Sequence, residues 1–207
     1  MSILNVLLRP DRLVVAVDTL AESAQSGRQS AGAKVLLLPQ HNAVLAARGS
    51  AQFFLDMFRL LVEASFRAEF TMELAMAETG PLVDHIWPRY ESASRRAHPH
   101  TEVPGIELVL GGWSHAQQRM VATAYARGVG TRATTVRPLD AGVASPGSPL
   151  EEREGTYEHG DLLEAARLQA KFLNSAARRE VAGGNLLVAD LSRGCATITD
   201  LGPVRTI

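Results

Sequence analysis

Two continuous aliphatic runs near the start of the chain constrain the fold more than any other feature. Residues 3–8 and 13–18 consist mainly of Ile, Leu, Val and Ala, and the Pro10-Asp11 pair between them is typical of a tight turn. The pattern predicts a β-hairpin. Because these runs are largely continuous in apolar residues, both faces of the strands must be covered, so their sheet should lie between other layers.

After the hairpin, the sequence predicts a second strand pair at 34–39 and 43–48. It is reached through residues 19–33, which are small and polar and favour a surface loop or a short irregular strand. Later apolar runs, bounded by Gly, Pro and polar residues, predict further strands. They are placed at 105–110, 120–126, 132–136, 185–190 and 196–199.

Helices are predicted where the apolar period changes to three and four residues. One should begin at a Ser50 cap, a second after Gly80-Pro81, and a long one should span 160–179. Strands and helices therefore come in blocks, which favours two packed sheets with helices outside them. We expect one domain spanning residues 1–207.

Composition excludes several classes of protein. The chain has 207 residues, 46% of them hydrophobic, and a formal net charge of −1, so it lacks the basic surface expected of a nucleic-acid-binding protein. No apolar run approaches membrane-spanning length, and no signal peptide is recognisable. We expect a cytoplasmic protein without nucleic-acid or membrane partners. The single cysteine, Cys195, excludes an internal disulfide framework.

Conventional catalytic motifs are absent. The sequence has no G-x-x-x-x-G-K-[ST] phosphate loop, no H-E-x-x-H zinc motif and no G-x-S-x-G nucleophile turn. His98 and His100 flank a proline in a predicted loop, where a solvated pair is a simpler interpretation than a ligand pair. We therefore expect neither a metal nor a cofactor.

Four residues at the ends of the predicted strands are the remaining candidates. Ser2 starts the first strand, Asp18 ends the second, Lys34 begins the third and Gly49 follows the fourth. Each alone would usually be a surface or turn residue. Since an initiator Met is generally removed before a residue as small as serine, we expect Ser2 to become the mature N-terminus and to act as a nucleophile.

In this spacing, and with an amphipathic helix after Gly49, these residues resemble the proteasome β-subunit and HslV-like family of N-terminal nucleophile hydrolases. Within it the chain is most similar to the betaproteobacterial proteasome homologue, and the match is best over residues 2–63. The resemblance implies an α+β fold, the four-layer αββα sandwich of N-terminal nucleophile hydrolases. It also implies a peptidase.

The resemblance assigns a role to each candidate. Ser2 would attack a peptide carbonyl while its own α-amine, with an ordinary pKa of ~8, serves as general base. Lys34 would stabilise the alkoxide, Asp18 would hold Lys34 charged, and the N–H of Gly49 would bind the oxyanion. The family nucleophile is usually threonine, so serine is a departure. Whether Ser145 or Ser148 supports the nucleophile stays open.

The resemblance also implies partners. Substrates would be peptides or unfolded proteins, and the chain would assemble into a homo-oligomeric double ring of six- or seven-membered rings, seven being favoured. An ATP-dependent unfoldase is a possible partner. Two alternatives stay open: a catalytically silent ring or scaffold subunit, and a small-molecule amidohydrolase of the same fold.

Overall fold

The computed structural model describes residues 2–23, 26–97, 103–151 and 159–204. They form twelve β-strands, among them three long antiparallel hairpins, and three α-helices. The strands are β1 (Leu4–Arg9), β2 (Arg12–Asp18), β3 (Leu20–Glu22), β4 (Gln29–Ala31), β5 (Val35–Leu38), β6 (Ala43–Arg48), β7 (Ile106–Ser114), β8 (Arg119–Arg127), β9 (Thr135–Pro138), β10 (Val143–Ser145), β11 (Asn185–Ser192) and β12 (Cys195–Pro203). The helices are α1 (Ala51–Ser65), α2 (Met72–Ala97) and α3 (Leu162–Ala177).

The strands form three antiparallel sheets. Two have five strands, in the orders β10-β1-β2-β11-β12 and β5-β6-β7-β8-β9, and β3 pairs with β4 in a separate two-stranded sheet. The predicted first hairpin is confirmed, with Leu4 opposite Val17 and Arg9 opposite Arg12. Strand β11 lies on the other side of β2, which places Leu186 opposite Asp18.

The core is divided among three apolar clusters. The inter-sheet cluster joins residues of β1 and β2, such as Val6 and Val15, to residues of β6, β7 and β8, such as Val109. A second cluster joins α1 and α2 to β6, β7 and β8, and a third joins α3 to β1, β2 and β11. Continuous burial along β2, from Leu13 to Asp18, explains why its sequence is apolar on both faces.

The predicted fold class, an α+β four-layer αββα sandwich, is wrong. The described residues are predominantly antiparallel β structure, with twelve strands in three sheets and three α-helices. Part of the difference lies in residues 19–33, where β3 and β4 form a sheet of their own. Small polar residues without alternation give no strand signal there, so the pairing depends on tertiary context.

The helix predictions hold in part. Ser50 caps α1 as expected, its hydroxyl accepting a hydrogen bond from the N–H of Phe53 at 3.2 Å. The second helix begins at Met72, well before the predicted start, and continues through Pro81 and Pro88. Proline is favoured in the first turn of a helix, but it does not always mark a helix start. Here α2 packs on β7 and β8. His98 and His100 lie outside the described residues.

No helix in the described part of the chain is both long and apolar enough to cross a membrane.

Candidate active site

Ser2 lies at the start of β1 and is 3% exposed. Side chains alternate along a strand, and Ile3 belongs to the α3 cluster whereas Leu4 belongs to the inter-sheet cluster. The Ser2 side chain therefore shares the inter-sheet face with Leu4. Its hydroxyl oxygen accepts a hydrogen bond from the Nζ of Lys34 at 2.5 Å.

Asp18 ends β2 and is completely buried. Its Oδ1 accepts from the backbone N–H of Ile3 at 2.9 Å and from Lys34 Nζ at 2.8 Å, and its Oδ2 accepts from the N–H of Gly183 at 3.1 Å. A buried carboxylate requires such partners. Through these hydrogen bonds Asp18 holds together the start of β1, the side chain of Lys34 and the segment before β11.

Lys34 precedes β5, and its side chain is 11% exposed. Besides Ser2 and Asp18, its Nζ donates to the carbonyl oxygen of Leu20 at 2.5 Å, so all three N–H donors of an ammonium have acceptors. Burial lowers the pKa of Lys34 below its ordinary value of 10.5; Asp18 acts in the opposite direction, and the positive charge of Arg48 adds to the lowering. Three hydrogen bonds therefore hold the lysine side chain in place. Because of burial, it loses its proton at a lower pH than an exposed lysine would.

Gly49 lies between β6 and the Ser50 cap, with φ of +106°. A Cβ at this position would overlap the carbonyl oxygen of Gly105, so no other residue fits the backbone. The N–H of Ala47 donates to the carbonyl of Lys34 at 2.8 Å, which ties this turn to the lysine. Within the described residues no hydrogen bond joins Gly49 to Ser2, Asp18 or Lys34.

The structure therefore brings Ser2, Asp18 and Lys34 together. The two serines proposed as support are elsewhere. Ser145 Oγ donates to Glu107 Oε2 at 2.7 Å, and Ser148 begins a short 3-10 turn. Neither forms a hydrogen bond with Ser2 in the part of the chain that is described.

Sequence reasoning missed a second polar cluster beside the site, made of Arg48, Glu107 and Ser145. Arg48 Nη1 contacts Glu107 Oε1 at 3.3 Å and forms a short hydrogen bond with Ser145 Oγ. Arg48 lies opposite Glu107 in the β6–β7 pair, and Ser145 lies opposite Leu4 in the β1–β10 pair. Only the strand register could reveal this cluster, and the sequence does not specify it.

A buried amide pair was also missed. Asn5 and Gln169, both fully buried, exchange two hydrogen bonds of 2.7 and 2.8 Å, and Gln169 also donates to the carbonyl of Pro146 at 2.8 Å. These bonds fix α3 on β1, three residues from the nucleophile. The sequence did contain a signal for this pair. Asn5 is a polar residue inside an apolar run, and buried polar groups need hydrogen-bond partners.

The described residues contain no group of three or more His, Cys, Asp or Glu side chains that could hold a metal ion. The chemistry available here is that of a hydroxyl hydrogen-bonded to a buried lysine, with a carboxylate behind the lysine. Such an arrangement activates or stabilises an oxygen nucleophile.

Comparison with known proteins gives a fold but no family. No family model matches the chain, and no curated protein matches it. Among solved structures, the chain is similar to Anbu (ancestral beta-subunit) from Yersinia bercovieri, with 15% sequence identity and a TM-score of 0.67, over 98% of this chain and 88% of that one.

The assignment to the proteasome β-subunit and HslV-like family, and within it to the betaproteobacterial homologue, is therefore wrong. The structural neighbour belongs to a related but distinct family, and its own fold is β-rich and not an αββα sandwich. At 15% identity the likeness concerns the backbone alone. The chain has a proteasome-related fold.

Proposed function

We propose that the protein is a peptidase that cleaves peptide bonds with Ser2 as an N-terminal nucleophile. The observation that carries this proposal is the contact of 2.5 Å between Lys34 Nζ and the buried Ser2 hydroxyl, with Asp18 as the counter-ion. A buried lysine that donates to a serine oxygen has no obvious value for stability alone, since burying a charge is costly. It does have value for a reaction that develops negative charge on that oxygen.

The proposed reaction begins with removal of Met1, which frees the α-amine of Ser2. The amine takes the hydroxyl proton, directly or through a water, as Oγ attacks the substrate carbonyl. Lys34 stabilises the developing negative charge on Oγ, and Asp18 keeps the lysine protonated and oriented. The N–H of Gly49 donates to the oxyanion of the tetrahedral intermediate, a contribution of about 3–4 kcal/mol in comparable sites.

The intermediate then collapses. The C–N bond breaks, the leaving amine takes the proton from the α-ammonium, and the acyl group remains as an ester on Ser2 Oγ. A water attacks this ester while the α-amine again accepts a proton. The acyl C–Oγ bond then breaks, Oγ takes the proton back from the α-ammonium, and the carboxylic acid product leaves. Atoms and protons balance without a cofactor.

The proposal includes an assembly: a homo-oligomeric double ring, seven-membered rings being favoured over six, which would admit peptides or unfolded proteins and could cooperate with an ATP-dependent unfoldase. It is supported by large apolar side chains exposed on the helices, including Leu55 (51%), Phe66 (84%) and Phe172 (45%), which are typical of contact surfaces. Light scattering combined with electron microscopy of the purified protein tests the assembly.

The function is tested by intact-mass measurement combined with peptide cleavage. We expect purified protein to lack Met1 and to cleave unstructured peptides, and we expect the Ser2→Ala variant to have no cleavage above background. Ser30→Ala, at an exposed position on β4, is the matched control and should cleave normally.

Three outcomes would contradict the proposal. Full-rate cleavage by protein that keeps Met1 would exclude the α-amine as the base. It would leave neutral Lys34 as the acceptor of the Ser2 proton, a role its lowered pKa would suit. Absence of any cleavage that depends on Ser2 would favour a silent scaffold subunit, and cleavage of simple amides but not peptides would favour a small-molecule amidohydrolase.

A further inference from the structure

A cavity of about 280 Å³ lies between the two five-stranded sheets. Its lining includes residues of β10 and β9, the terminal strands of the two sheets. Its wall is largely apolar and includes Leu4, Val109, Ala124 and Val143, which belong to the inter-sheet cluster or pack on it. Large voids are rare in close-packed domains, and an apolar cavity of about 150 Å³ accepts benzene. This one has room for a bulky apolar group.

The cavity begins close to the nucleophile. Leu4 is two residues from Ser2 on the same face of β1, a separation of about 7 Å along a strand. Ser145, which also lines the cavity, lies opposite Leu4 in the β1–β10 pair. About 7 Å is also the distance between side chains on one face of an extended peptide. A peptide cleaved at Ser2 can therefore place a nearby side chain here.

The polar residues at the inner wall are already paired with one another. Glu107 accepts from Ser145 through Oε2 and from Arg48 through Oε1. Arg48 is at the same time near enough to Lys34 for its charge to act on that lysine. Glu107 and Ser145 of this polar cluster line the cavity, and Arg48 connects the cluster to Lys34 through its charge. The charges of Arg48 and Glu107 are matched within the cluster. Arg137, an exposed residue of β9, also lines the cavity, and most of the remaining wall is apolar.

We infer that this cavity is the subsite for a bulky apolar side chain of the substrate, of leucine to phenylalanine size, close to the bond that Ser2 cleaves. The inference rests on the proposed function and adds its substrate preference. Hydrophobic pockets discriminate modestly, by roughly 10- to 200-fold between side chains that differ in size. The preference for leucine over alanine at this substrate position should fall in that range.

The test uses Ala126, an exposed residue of β8 that lines the cavity. Peptides that differ only in Ala, Leu, Phe or Asp at each position around the cut are compared by kcat/KM, with products identified by mass spectrometry. We expect the intact protein to prefer Leu or Phe over Ala by at least 10-fold at one position. Ala126→Phe should reduce that ratio to near 1, and Val143→Ala, which widens the cavity, should move the preference from Leu toward Phe.

Thr199→Phe is the matched control, because Thr199 is an equally exposed strand position that does not line the cavity. It should leave the ratio unchanged. Cleavage that depends on Ser2 but shows the same ratio in both cavity variants, or a preference for Asp, would overturn the subsite alone. Absence of any Ser2-dependent cleavage would overturn both the subsite and the proposed function.

Discussion

Two ion pairs flank Ser2, and they differ in burial. Asp18 and Lys34 are 0% and 11% exposed and are 2.8 Å apart. Glu107 and Arg48 are 40% and 20% exposed and are 3.3 Å apart. Lys34 donates to the Ser2 hydroxyl, and the charge of Arg48 acts on Lys34. Only the first is enclosed, so only the first is protected from screening by water.

The difference in burial suits the two ion pairs to different roles. A buried pair is costly to form and even more costly to break, because a lone charge is left without water. It is therefore suited to fixing the geometry of a reacting group. A half-exposed pair contributes little to stability and is suited to adjusting the electrostatic potential around the first pair.

Asp18→Asn should have the largest effect. It leaves the Lys34 ammonium buried without a counter-ion, which typically costs about 3–5 kcal/mol of unfolding free energy, and it should also abolish peptide cleavage. Urea unfolding measures the first effect. Glu107→Gln is the comparison and should cost less than about 1 kcal/mol because Glu107 is half-exposed. Equal losses of unfolding free energy in Asp18→Asn and Glu107→Gln would show that the two ion pairs do not differ in their contribution to stability.

Lys34→Ala should lower kcat/KM for peptides about 10³-fold, since it removes the cation that stabilises the Ser2 alkoxide. The assembly, measured by light scattering, should be unchanged. Lys171→Ala is the matched control, because Lys171 is an exposed lysine on α3. Cleavage at the normal rate by the Lys34 variant would refute the mechanism.

The smallest effect concerns pH. The rate should fall as pH rises through the pKa of Lys34, which lies below 10.5 because of burial, since the deprotonated lysine no longer stabilises the alkoxide. Arg48→Gln removes a positive charge, so the pKa of Lys34 should rise and the alkaline decline should move to higher pH. Glu107→Gln leaves Arg48 less neutralised, so the decline should move to lower pH.

Each shift should be below about one pH unit, because one unit corresponds to ~1.4 kcal/mol and the pair is half-exposed. Profiles of kcat/KM against pH for the two variants measure it. Shifts in the same direction would show that the second pair does not act on Lys34 through its charge.

The two pairs also differ in how far the sequence predicted them. Ser2 and Asp18 stand at the open end of a hairpin recognisable from its apolar runs, so their proximity follows from antiparallel pairing. Lys34 was placed beside them as the start of the next strand. The pair of Arg48 and Glu107 required the register of β6 against β7, which apolar patterning does not define when both strands are buried on both faces.

The same reasoning explains the errors in the fold. Helix α2 was given too late a start because Pro81 was read as a helix beginning, whereas packing on β7 and β8 carries the helix through it. The β3–β4 pair had no apolar signal at all. Local patterns identified the long hairpins and the α1 cap, and long-range packing decided the rest.

One hydrogen bond has a consequence for biosynthesis. The N–H of Gly183 donates to Asp18 across 165 positions of the chain, so the carboxylate acquires this partner only after residue 183 has left the ribosome. A nascent chain that ends before residue 183 would contain Ser2 and Lys34, but Asp18 would lack its hydrogen bond from Gly183. The surroundings of Ser2 are therefore completed only when the segment before β11 has joined the fold.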